Sequence, residues 1–323
     1  MTAGPPARGI QAARNRAAMM RRIRAWFDAA DVLEVDTPAF SSYAVSDTQI
    51  ESFEIQQSLV SKSPIYLHTS PEVCMKRLLS AGYPDIFSIC RVFRDGESGQ
   101  RHQPEFTMIE WYRLGFGLQD IIDDTTKLIE ATLTADTLSE TPEQYDYRDI
   151  FLQSASVDPL TATVEELADA AGADADLQKS IGDERDDWLD LILATRVVPA
   201  FDARRLTVLQ HYPASQAALA RLCPDDTRVA DRFEVFLGPL ELANGYVELL
   251  DAEEQLQRMH ADDANRRRRN RTVRPHDRSL LAALEAGLPA CAGVAMGFER
   301  LQMIHDGSDD IRDVVTFSFE EEQ

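Results

Sequence analysis

Residues 91–113, RVFRDGESGQRHQPEFTMIEWYR, set two aromatic-rich arms around a loop that carries Arg94, Asp95, Glu97, Arg101 and His102. Gly96 and Gly99 let that loop bend. The arms predict paired strands, and the loop between them is built to hold something that meets both signs of charge and a ring, Phe106, at the rim. Period-two alternation puts Phe106, Met108, Glu110 and Tyr112 on one face of the second arm, and Thr107, Ile109, Trp111 and Arg113 on the other. An acid and a phenol beside two apolar side chains is not a simple core pattern, so Glu110 is either solvated or paired with a positive group. Near the C-terminus, CAGVAMGFERLQMI predicts a strand running into a helix. Gly293, Ala295 and Gly297 strip one face of that strand of large side chains. That suits either close approach by another body or tight sheet packing.

These residues need a frame. Residues 16–30 place Met19, Ile23, Trp26 or Phe27, and Ala30 at helical spacing, and an alternating, strand-like stretch follows and ends at Pro38. HTSPEVCMKRLLSAG predicts a loop feeding a helix, with Ser70 as cap, Pro71 at the first position, Glu72 at the positive end and Gly82 closing it. Residues 115–205 read as mainly helical and acidic. After them come a strand, a helix, a hairpin turning at Gly238-Pro239, and another helix. ANRRRRNRTVRP is a basic, loop-like run, either a solvated face or a mobile clamp on phosphates or an acidic partner.

Composition narrows the classes. With 323 residues, 44% of them hydrophobic, the chain can bury one large core or two modest ones. Basic residues number 33 against 55 acidic ones, a net charge of -22, which disfavours broad nucleic-acid binding because phosphate neutralisation supplies most of that affinity. Cys74, Cys90, Cys223 and Cys291 show no metal or disulfide spacing, which fits a reducing cytosol. No apolar run reaches the ~18 residues of a membrane span. The N-terminus lacks the apolar core of a secretory signal and reads as a short disordered lead into a helix.

Taken together, three segments resemble the three motifs of class II aminoacyl-tRNA synthetases. The helix and strand ending at Pro38 resemble motif 1. FRDGESGQRHQPEFTMIEWYR resembles motif 2 of the lysine subgroup, and GVAMGFERL resembles the G-x-G-x-G-x-[DE]-R-L pattern of motif 3. TSPE and ELANGYVEL join them at suitable separations. The resemblance implies an α+β fold, an antiparallel six-stranded sheet flanked by helices. It implies one catalytic domain over 1–323 with a mainly helical insertion at about 115–205. Motif 1 starts within about the first twenty residues, so no N-terminal anticodon-binding barrel is expected. HYPASQAALA, with Ala295 where synthetases have Gly, is similar to a truncated branch of lysyl-tRNA synthetase paralogues. That branch attaches a lysine-type acid to elongation factor P.

The resemblance implies ATP-dependent activation of (R)-β-lysine or lysine as an acyl-adenylate, then transfer to a lysine side chain of elongation factor P. Mg²⁺ would assist, in a cytoplasmic homodimer with tRNA an unfavoured partner. A truncated enzyme charging tRNA or a free acceptor is the alternative, and a catalytically silent regulatory paralogue is another. Arg94 would grip the α-phosphate and the substrate carboxylate, Phe106 and Arg300 would sandwich adenine, and Arg101 and His102 would touch the tail phosphates. Asp95, Gly96, Gln103, Leu242 and Gly297 complete the expected ATP contacts. Glu241 and Glu248 would bind Mg²⁺, with Glu248 also a host for the substrate ammonium. Seven residues apart on a regular strand they would face opposite ways, so a bulge is expected at Asn244-Gly245. Ser70, Pro71, Glu72, Glu110, Tyr112, Glu248 and Ala295 form the expected amino-acid subsite. Glu253 is either a host for the side-chain amine or a solvated helix position. The family's adenine-binding Glu falls on Gly96 here, so either the local backbone or Glu97 takes its place.

Overall fold

The computed structural model describes residues 8–133, 137–138 and 140–319, so most of the expected N-terminal lead lies outside the described residues. Helix α1 (Gly9–Ala29) buries Ala12, Met19, Ile23 and Phe27, a stripe at helical period. Phe27, not Trp26, points inward and stacks on Phe87 at 4.1 Å between ring centroids. Strand β1 (Leu33–Glu34) follows. A small separate sheet holds β2 (Phe40–Ser41), β3 (Glu54–Ile55) and β4 (Ile65–Leu67) in the order β2-β4-β3.

Helix α2 (Glu72–Ser80) leads into β5 (Ile86–Phe93) and β6 (Glu105–Leu114), which pair antiparallel as the two aromatic arms predict. Next come α3 (Leu118–Thr132), β7 (Glu143–Asp146) and four helices, α4 (Tyr147–Ala155), α5 (Val164–Ala171), α6 (Ala175–Ile181) and α7 (Arg185–Ile192). The chain returns through β8 (Leu206–Gln210), β9 (Arg232–Leu237), β10 (Leu240–Val247), α8 (Ala252–Arg268), α9 (Arg278–Glu285), β11 (Cys291–Gly297) and α10 (Phe298–Asp306).

The main sheet has eight strands rather than the expected six, in the order β1-β5-β6-β11-β10-β9-β8-β7. Its six inner strands are antiparallel, and β1 and β7 add one parallel strand at each edge. Parallel partners arrive by crossover, without the hairpin signal that marks the inner pairs. One face of the sheet is core. Ile109, Trp111, Val235, Val247, Val294 and Met296 project from it onto α1, α3 and α10. Burying a side chain the size of Trp111 contributes roughly 2–3 kcal/mol. Helix α3 therefore belongs to the central core, whereas α4–α7 gather a second one around Phe151, Leu167 and Trp188.

The bulge in β10 is not at Asn244-Gly245. Those residues pair regularly with Glu234 and Phe233, and the register slips between Glu241 and Ala243 instead, leaving Leu242 as the extra residue. Leu242 and Ala243 both enter the core. Glu241 thereby emerges on the face opposite the core with Asn244, Tyr246 and Glu248. Gly245 serves close packing: a Cβ there would meet the Phe233 ring at 2.7 Å and the Gly293 carbonyl oxygen at 2.8 Å.

Candidate active site

The non-core face of the sheet carries the predicted site residues, because strict alternation in β6 and β11 sends them there. Glu110, Tyr112, Gly293, Ala295, Asn244 and Tyr246 lie on three adjacent strands, with Ala295 opposite Glu110 and Gly293 opposite Tyr112. Gly293 is small of necessity. An added Cβ would meet the Tyr112 ring at 2.5 Å and a Glu248 carboxylate oxygen at 2.7 Å.

Against this face α2 presents its first turn. Ser70 Oγ accepts from the Glu72 backbone N–H at 2.9 Å and donates to Glu110 Oε2 at 2.6 Å. Tyr112 donates to Glu110 Oε1 at 2.8 Å. Glu110 is thus neither solvated nor directly salt-bridged; two hydroxyls hold it. Pro71 is buried at the flank of the helix.

Lys76, one turn along α2, bridges Glu72 at 2.6 Å and Glu248 at 2.5 Å, and Tyr246 donates to Glu72 at 2.7 Å. Sequence reading missed Lys76, although the Glu72–Lys76 spacing of four residues on a helix was a usable signal. Burial, then the neighbouring Glu72 charge, raises Glu110 to about 8. Burial also raises Glu248 to about 8, with Lys76 opposing it. Burial alone would depress the Lys76 ammonium, but Glu248 and Glu72 outweigh it and push it up. Tyr112 and Tyr246 are pushed well above an ordinary phenol by burial and by the acids. Three carboxyl groups thus face one ammonium; Glu110 and Glu248 hold protons near neutral pH, and ionising both would leave the set two positive charges short.

Further along the same face lies a second set of groups. Arg94 sits with its guanidinium carbon 5.1 Å from the Phe106 ring centre, and its buried Nε has no hydrogen-bond partner. Gly96 adopts φ +81°, a turn that brings Glu97 to 3.5 Å from Arg94 Nη1. Glu97 therefore meets Arg94, and Asp95 and Gly96 stand exposed at the turn. Arg300, following Gly297 at the start of α10, donates to the Glu241 carbonyl at 2.9 Å, to Glu241 Oε2 at 3.3 Å and to His102 Nε2 at 2.6 Å. Partial burial, then Arg300, then more weakly Arg94, lowers the His102 pKa, so both guanidinium groups act on one ring.

Other residues of the expected set have neighbours of their own. Gln103 is buried, and its side-chain oxygen accepts from the Phe319 N–H at 2.8 Å. Leu242 sends its side chain into the core. Arg101 donates to the Pro239 carbonyl at 3.1 Å. Glu253 is exposed on the first turn of α8. Glu241 and Glu248 share a face but serve different neighbours, Arg300 and Lys76.

The first part of the arginine run is helix, and the rest is irregular. Arg266–Arg268 continue α8, and Arg266 is buried, donating to the carbonyls of Ser46, Asp47 and Ile50 and to Glu51. Arg274 pairs with Glu51 at 2.9 Å and Arg269 with Asp187 at 2.8 Å. The run ties α8 to the loop before β3 and to α7.

Residues 8–321 match the family model described as tRNA synthetases class II (D, K and N), and the chain belongs to that family. Its relatives are more particular. The elongation factor P–(R)-β-lysine ligase of Mannheimia succiniciproducens is 42% identical over 315 residues, covering 97% of this chain and 96% of that protein. The ligase of the same name from Sodalis glossinidius is 41% identical over 309 residues (94% of each chain), and that of Haemophilus ducreyi is 41% identical over 319 residues (98% and 96%).

Proposed function

We propose that the protein activates (R)-β-lysine or lysine with ATP and transfers the acyl group to a lysine side chain of elongation factor P. The observation that carries this reading is the set of buried Glu110 and Glu248 and half-buried Glu72 around a single ammonium, on one sheet face with an incompletely bonded Arg94. Two missing positive charges match the two ammonium groups of a lysine-type acid, whose carboxylate is then directed toward Arg94.

In the first step a substrate carboxylate oxygen attacks the α-phosphorus of ATP. The bond to pyrophosphate breaks, leaving an acyl-adenylate. Arg94 stabilises the charge gathering at phosphorus, and its planar fork suits a phosphate and a carboxylate together. Phe106 and Arg300 hold the adenine, Asp95, Gly96 and Gly297 border it, and His102, neutral beside two guanidiniums, accepts from Arg300 and fixes its direction. In the second step a neutral acceptor amine attacks the acyl carbon. The bond to AMP breaks and the amine loses its proton.

Glu241 fits Mg²⁺ on the chemistry of its half-exposed carboxylate beside Arg300, and Mg²⁺ would neutralise phosphate charge there. Glu248, committed to Lys76, fits the ammonium-binding role instead. We read the chain as one catalytic domain with α4–α7 as its insertion, working as a homodimer in the cytoplasm. The alternative of tRNA charging is weighed down by the net charge of -22.

Acceptor labelling separates the two. Radiolabelled (R)-β-lysine or lysine with ATP should appear on elongation factor P and not on tRNA. Label on tRNA alone overturns the proposal. ATP–pyrophosphate exchange that neither acid stimulates would mark a silent paralogue.

A further inference from the structure

We propose that His211, Cys223 and Asp231, at the end of β8 and in the loop that leads into β9, form a binding site for a zinc-type divalent cation. A ring nitrogen of His211, the Cys223 sulfur and an Asp231 carboxylate oxygen all lie within 4.8 Å of one another. Tetrahedral zinc with its usual bond lengths needs neighbouring ligands about 3.5 Å apart, so binding would draw the three side chains together.

The three residues are held before any ion arrives. The His211 N–H bonds to the Arg232 carbonyl at 2.9 Å, that of Cys223 to Val229 at 2.9 Å, and that of Asp231 to Arg221 at 3.0 Å. His211 also has φ +57°, a left-handed conformation that costs energy in a residue other than glycine and that the surrounding structure must impose. Its Nδ1 lies 2.6 Å from Asp146 Oδ1 at the end of β7. A carboxylate on one imidazole nitrogen fixes the ring and is the usual support behind a metal-bound histidine, which would then ligate through Nε2. Asp231 is buried, and only its Oδ2 is engaged, by Arg221 Nε at 2.7 Å.

Sulfur, nitrogen and oxygen donors in one site select zinc over magnesium or calcium. Binding would convert the Cys223 thiol to thiolate and release one proton. The fourth position is left for water. A second such group among the described residues, His260, Asp263 and His276, is the weaker candidate. There His276 already spends its Nε2 on Asp263 at 3.0 Å, and His260 is exposed without a carboxylate behind it.

The ion would pin the loop from His211 to Asp231, and with it Arg232, which bonds Glu234 at 2.5 Å and Asn244 at 3.3 Å. Cobalt(II) is the probe. Chelator-stripped full-length protein titrated with Co²⁺ should give one equivalent of a thiolate-to-metal charge-transfer band, displaced by Zn²⁺, and Zn²⁺ should raise the thermal midpoint. C223S should lose both effects while melting as the metal-free parent does. D146N should keep the band but bind about 10–100-fold more weakly. H260A should behave as wild type. Absence of the band in wild type, its survival in C223S, or its loss in H260A overturns the assignment.

Discussion

Arg94, half-buried, and Lys76, fully buried, show how differently two cations can be used. Arg94 keeps a donor without a partner, and its planar fork can meet a phosphate and a carboxylate at once. We expect R94K, which keeps charge but loses the fork, to slow ATP–pyrophosphate exchange by about 10²–10³-fold. Undiminished exchange would remove Arg94 from the chemistry. Lys76 is paired with both Glu72 and Glu248, and it balances part of their charge. K76M should destabilise the protein by about 3–5 kcal/mol in denaturant unfolding, since it strands buried charge. Glu110 and Glu248 titrate near 8 in the folded protein against an ordinary 4.5. Between those values the folded chain holds protons that the unfolded chain has released. Their contribution therefore lowers stability as pH rises through that window. A diammonium substrate needs the ionised acids, so its affinity should increase as pH rises from about 6 to about 8, by roughly tenfold per pH unit for each proton it expels. A pH-independent dissociation constant for lysine or β-lysine, measured calorimetrically, would contradict this. The sequence showed these acids but not their state, because Glu110 is held by hydroxyls from a distant loop and its own strand.

At the scale of elements, alternation made the faces of β6 and β11 legible, since period two admits only one division of their residues. The bulge was legible as a need but not as a place. Asn244-Gly245 looked like a turn signal, yet Gly245 is there to admit the Phe233 ring, and Leu242 is the inserted residue. The arginine run gave its charge but not its partners, which lie some 220 positions earlier around Ser46–Glu51. Gly293 offers the clearest test of how strand and helix build the subsite. G293A places a methyl within 2.8 Å of the Tyr112 ring and of Glu248, both buried, so one of them or the strand must shift. The variant should lose stimulation of exchange by either lysine isomer while retaining ATP binding by equilibrium titration. Normal amino-acid activation would mean that the substrate does not lie over β11.

For the whole molecule, the six antiparallel strands were readable from motif order, and the parallel edges were not, because crossover partners leave no local mark. The β1 edge bears on how copies associate. Among the described residues no strand lies beyond β1; Leu33 is 47% exposed there, and Phe40, in β2 of the small sheet, is 61% exposed. Apolar side chains beside an open sheet edge call for a cover. A second copy of the motif 1 region is the cover we predict, across an interface of at least ~1,200 Å². The chain's charge of -22 opposes any such pairing, but at ~0.15 M ionic strength that repulsion is screened beyond about 8 Å. Apolar association is not weakened by salt, whereas an interface built from ion pairs is. Sedimentation equilibrium at micromolar concentration should therefore give a dimer whose dissociation constant falls as salt is raised. L33D with F40D should yield a monomer that remains folded by circular dichroism. A wild-type monomer, or a dimer that salt dissociates, would place the association surface elsewhere or abolish it.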